Sequence, residues 1–136
     1  MKKFILGVLL VTSFPSFAVI GLKDCKSLLG EYSCKVNGDT LDLSLKKTGA
    51  NTVKISIADE NSGNSEEFIV DGITRKSKTD DTLVQTTCRE DGSKIESLSM
   101  FKGSTESLSI SAVDAKTVKY SIVKSDSTFS FNCSKK

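Results

Sequence analysis

Residues 41–57 read Leu-Asp-Leu-Ser-Leu-Lys-Lys-Thr-Gly-Ala-Asn-Thr-Val-Lys-Ile-Ser-Ile. Apolar side chains fall at Leu41, Leu43 and Leu45, and again at Val53, Ile55 and Ile57. A repeat of two is the period of a strand with one buried face, because successive side chains point to opposite sides. The link Thr48-Gly49-Ala50-Asn51 has turn composition, so the stretch reads as two antiparallel strands joined by a hairpin.

The same alternation extends in both directions. Tyr32, Cys34 and Val36 precede it; Phe68 and Val70 follow, then Val84, Thr86 and Cys88, then Leu98 and Met100. Leu108, Ile110 and Ala112 come next, then Val118, Tyr120 and Ile122, and finally Phe129, Phe131 and Cys133. Asn37-Gly38, Asp71-Gly72 and Asp91-Gly92 suit tight turns with left-handed backbone, while Gly103-Ser104 and Asp114-Ala115 read as longer links. Two polar stretches are longer: Glu60–Ser65, and Arg75–Asp81, which reads either as a loop or as a weak edge strand. Leu22, Leu28 and Leu29 fit a short helical turn plugging one end. The expected fold is all-β, an antiparallel up-and-down meander of eight to ten strands. Short sequential hairpins favour closure into a barrel over a Greek-key sandwich, which needs long crossovers.

The N-terminus sets the compartment. Met1-Lys2-Lys3, the apolar run Phe4–Val11 and the small residues Ser16 and Ala18 make up a secretory signal. The run is short of the ~20 apolar residues a spanning helix needs. Lys23-Asp24 before Cys25 is unlike the apolar segment that precedes a lipidated cysteine. A signal peptide is expected over residues 1–18 and a single domain over 19–136, exported to the periplasm or beyond. Without Lys2 and Lys3, the basic residues equal the 17 acidic ones, so the domain is neutral. That balance excludes the basic excess a nucleic-acid binder uses against phosphates. In an exported domain, Cys25, Cys34, Cys88 and Cys133 imply two disulfides. The last strand of a closed meander runs beside the first, which favours Cys25 or Cys34 as the partner of Cys133; the sequence does not choose among the three possible pairings, and the reading leans to Cys25–Cys133 with Cys34–Cys88.

The chain has no histidine, which removes Ser-His-Asp and Cys-His catalysis and most metal sites. Asp59, Glu60, Glu66, Glu67, Asp80, Asp81, Glu90 and Asp91 are read as turn or outward-facing acids, and Asp42 as outward. No enzyme activity, metal or cofactor is expected. An eight- to ten-stranded barrel either fills its interior or holds a small apolar ligand. The candidate lining is Tyr32, Leu43, Ile55, Phe68, Leu108, Tyr120, Phe129 and Phe131. The expected partner is such a ligand or another exported protein, with no nucleic acid and no membrane span in the mature form.

Leu28-Leu29-Gly30-Glu31-Tyr32-Ser33-Cys34 resembles the opening of lipocalin-like barrels, where a Gly-x-aromatic unit starts the first strand after a helical plug; Tyr32 stands where tryptophan is usual. The opening pair of cysteines, Val70-Asp71-Gly72 and the two later cysteines resemble small exported Gram-negative proteins of uncharacterised function. Tyr32-x-Cys34, Lys102-Gly103 and Cys133 are similar to the periplasmic inhibitors of C-type lysozyme, which implies an alternative role as a hydrolase inhibitor. That family's Ser-Gly-x-x-Tyr loop would start at Ser62-Gly63, but Glu66 stands where its tyrosine would fall.

Overall fold

Alternating sequence becomes ten strands in a single antiparallel sheet. The computed structural model describes residues 21–77 and 80–136; the expected signal peptide lies outside them. A short 3₁₀ helix, Leu22–Leu28, comes first. Then follow β1 (Gly30–Val36), β2 (Asp39–Lys47), β3 (Thr52–Ala58), β4 (Gly63–Ile69) and β5 (Arg75–Lys76). The second half is β6 (Leu83–Cys88), β7 (Lys94–Phe101), β8 (Ser104–Asp114), β9 (Thr117–Lys124) and β10 (Ser127–Lys135).

Every hairpin pairs neighbours, and β1 pairs with β10 to join the chain's two ends. The sheet thus runs β4-β3-β2-β1-β10-β9-β8-β7-β6-β5, and its two free edges, β4 and β5, meet in mid-chain. They are not joined as a ladder. Among the described residues, one parallel bridge from Val70, just after β4, to Thr86 of β6, with the Gly72 amide donating to the Thr86 carbonyl at 2.9 Å, ties the two sides at the helix end. The described residues of the stretch 75–81 contribute the two-residue strand Arg75–Lys76, and a lateral slot lies between β4 and β5.

The turn at Asn37-Gly38 has φ of 51° and 87°, the left-handed pair that a two-residue hairpin requires. Lys102-Gly103 repeats this geometry with φ of 49° and 82°, so the link expected to be longer there is a tight turn.

The helix lies across one end of the barrel, packed on β6, β7 and β8. Its first amides are held from below: the Leu22 N–H donates to Asn51 Oδ1 at 3.3 Å, and the Gly21 N–H to Asp24 Oδ2 at 3.0 Å. Leu22, Cys25 and Leu28 point into the barrel and are buried. Above them a filled core contains Tyr32, Leu43, Leu45, Val53, Ile95 and Ile110.

The disulfides are Cys25–Cys88 and Cys34–Cys133: of the two partners the sequence favours for Cys133, Cys34 is the one it has, which corrects the leaning to Cys25. The register of β1 on β10 sets Cys34 directly opposite Cys133, with Cα atoms 4.1 Å apart. The helix meanwhile carries Cys25 across the floor to β6, away from the terminal seam. A second correction concerns β7. Ile95 and Ser97 face the interior and are buried, whereas Leu98 and Met100 face out. The inward parity was hidden because serines occupy 97 and 99; Ser97 accepts a buried hydrogen bond from Thr86 Oγ1 at 2.9 Å.

Candidate functional site

The filled core does not reach the far end. Strand directions put the hairpins after β1, β3, β7 and β9 at a mouth opposite the helix. Below the mouth is a cleft of about 310 Å³. Ile55 and Ile57 of β3 and Asn64, Glu66 and Phe68 of β4 form one wall; Leu108 of β8 and Tyr120 of β9 face them. These strands are not sheet neighbours on the two sides, so the space between them is barrel interior.

Four of the eight residues expected to line a ligand site converge on this cleft: Ile55, Phe68, Leu108 and Tyr120. The other four do not line it. Leu43 is sealed in the core. Tyr32 is buried near the helix, its hydroxyl donating to the Leu28 carbonyl at 2.8 Å, which makes it a structural strut at the closed end. Phe131 is half-buried and stacks on Tyr120 with ring centroids 4.9 Å apart. Phe129 is 48% exposed at the mouth and meets Phe131 edge-on at 5.4 Å. The three rings form a ladder from the cleft wall to the rim.

Glu66 corrects another expectation. It is two residues from Phe68 on β4 and therefore shares its inward side, opposite Ile55 of β3. Counting back by twos from Phe68 would have found it, and Asn64 with it. Burial is the main cause holding the Tyr120 hydroxyl proton above the ordinary tyrosine range, with the negative charges of Glu106 and Glu66 adding to it. Tyr120 is therefore a neutral hydrogen-bonding group at neutral pH.

One further hollow shares wall residues with the cleft, and another lies at the rim. The slot between β4 and β5–β6 encloses about 220 Å³ and shares Glu66 and Phe68 with the cleft wall, so it is a side opening to the same region. A rim hollow of about 490 Å³ lies between the Lys102-Gly103 turn and the Ser125-Asp126 turn, with Phe101, Glu106 and Lys124 in its wall. Lys124 and Glu106 pair there at 3.5 Å. Ser62-Gly63, the start of the inhibitor-like loop, is part of a turn in which Asp59 Oδ1 accepts the Asn61 and Ser62 amides at 2.8 and 2.7 Å.

No protein-family model matches the chain, and no curated protein sequence matches it. Solved structures do resemble it in fold. Fatty-acid-binding protein 1 of Echinococcus granulosus superposes with a TM-score of 0.63 at 13% identity, over 81% of this chain and 98% of that one. A Schistosoma mansoni fatty acid binding protein in complex with arachidonic acid gives 0.62 at 14%, over 83% and 98%. A secretory abundant heat soluble protein from Ramazzottius varieornatus gives 0.59 at 10%, over 81% and 96%. The likeness places this chain's fold among the fatty-acid-binding-protein-like β-barrels.

Proposed function

We propose that this is an exported, non-enzymatic binding protein that carries a small, mainly apolar molecule in the mouth half of its barrel. One observation carries the reading: beyond the core of Tyr32, Leu43, Leu45, Val53, Ile95 and Ile110 the barrel leaves a cleft of about 310 Å³, where Ile55, Ile57, Phe68 and Leu108 stand beside the polar Asn64, Ser65, Glu66 and Tyr120. A concave, largely apolar space with a few polar groups is the usual form of a small-molecule site. Two solved structures of the same fold are fatty-acid-binding proteins by name, which supports the reading. Two disulfides suit an oxidising compartment. Among the described residues no helix is long and apolar enough to cross a membrane.

The test is to fill the cleft. In Leu108→Trp, the indole takes up the space between β8 and β3 and is the chain's first tryptophan. Titration of the wild type with an environment-sensitive apolar dye is expected to saturate at one equivalent, and the variant is expected to lose most of that binding while keeping its far-UV spectrum. Unchanged dye binding in the folded variant, or no saturable binding by the wild type, overturns the proposal.

A further inference from the structure

The apolar wall of the cleft says what the body of a ligand is; its charges say what the polar end is. Glu66 is exposed to the cleft and the slot, and no ion pair or hydrogen bond joins its carboxylate to another described residue. Among the described residues, Arg75, Lys76 and Lys124 have acid partners of their own. Arg75 of β5 forms a two-pronged pair with Asp71, its nitrogens 2.9 and 2.6 Å from the two carboxylate oxygens. Lys76 pairs with Asp81 at 3.1 Å, and Lys124 of β9 with Glu106 of β8 at 3.5 Å. Lys102, on the rim, lies over the Phe101 ring at 5.2 Å. Lys54 sits opposite Glu67, on the outward side of β3 and β4. Among the described residues, no arginine or lysine lines the cleft itself. The remaining polar groups in the wall are amide, hydroxyl and phenol: Asn64, Ser65 and Tyr120.

An acid with no base beside it among the described residues, on a wall that also carries Ile55, Ile57, Phe68 and Leu108, repels a second carboxylate and attracts a cation. We propose that the ligand is a cationic amphiphile: an alkyl or aryl body against Ile55, Ile57 and Leu108, with an ammonium group at Glu66. This rests on the cleft being a ligand site and deepens that reading. It also sets the chain apart from a solved barrel of the same fold that holds arachidonic acid. The slot gives Glu66 a side approach, so an amine can reach it without crossing the barrel.

Calorimetric titration with decylammonium, decanol and decanoate, each below its micelle concentration at pH 7 and low salt, tests this. A hydrogen bond to a charged partner gives decylammonium a roughly tenfold tighter affinity than decanoate, with decanol between them. In Glu66→Gln the preference for decylammonium over decanoate is expected to collapse while thermal stability stays as in the wild type. Glu66 is exposed and bonds to no other described residue, so the variant is expected to fold. Equal or tighter binding of decanoate by the wild type, or an unchanged amine preference in Glu66→Gln, overturns the inference and leaves the binding function intact if decanol still binds. Failure of all three probes overturns both.

Discussion

Gly92 has φ of 78°, and a Cβ built on it would run into the Asp24 carbonyl oxygen of the helix across the barrel floor. Two demands therefore meet at one residue: a left-handed turn between β6 and β7, and close approach of that turn to the helix. Gly92→Ala is expected to destabilise the fold by about 1–3 kcal/mol, since it combines backbone strain with overpacking. A urea unfolding curve with a lower midpoint and an unchanged slope would show it. Asp91-Gly92 was legible as a turn from the dipeptide alone, but the helix contact was not, because Asp24 is far away in sequence. Parity was legible wherever the inward residues are apolar, as at Leu41, Leu43 and Leu45. It failed at β7, where Ser97 and Ser99 face in and Leu98 and Met100 face out, because a barrel interior tolerates small hydroxyls that pair with each other. The same failure hid Glu66, since an acid was assigned to solvent by type rather than by position.

At the scale of elements, the terminal seam is a short join. β1 and β10 share only three residue pairs, whereas β9 and β10 share eight. Cys34–Cys133 clips that short seam, and Cys25–Cys88 ties the helix to β6. The two bridges span 99 and 63 residues, so loop-closure entropy separates them by only a few tenths of a kcal/mol, and removing either costs roughly 2–5 kcal/mol. Their distinct roles show in where the protein loosens. Cys25→Ala with Cys88→Ala is expected to accelerate hydrogen exchange at Asp24 and Leu29, whose amides close the helical turns onto Gly21 and Lys26, while leaving the β1–β10 seam protected. Cys34→Ala with Cys133→Ala reverses the pattern, and equal loosening everywhere in both variants refutes the division of labour. The meander, the helical plug and the adjacency of first and last strands were all readable from turn spacing. The direction in which the helix crosses the floor was not, and that direction decides the partner of Cys25.

For the molecule as a whole, the buried core and the candidate cleft occupy different parts of the barrel. Acid stability draws on both. Asp71 has its pKa lowered chiefly by the side-chain hydrogen bonds from Arg75. Asp59 is lowered first by the Asn61 and Ser62 amides, Asp80 and Asp91 first by the side chains of Thr82 and Ser93, and Asp114 by the Lys116 amide. A carboxyl whose folded pKa lies below its unfolded value of about 4 stabilises the fold above that value and loses the contribution as pH falls through the folded pKa. Tyr32 and Tyr120 have the opposite sense: burial raises both, so their contribution holds below about 10 and fades as pH rises through the folded value. The melting temperature is therefore expected to be level through neutral pH and to fall on both flanks. Asp71, with only 18% of its side chain exposed, is the least solvated of the paired acids and braces the slot loop through the Ile73 amide at 3.0 Å. Asp71→Asn should lower the neutral-pH plateau and flatten the acid limb more than Asp59→Asn does, read by circular dichroism melts from pH 3 to 7. Identical acid limbs in the two variants would show that the slot is held by the Val70–Thr86 bridge alone and not by the Asp71–Arg75 pair.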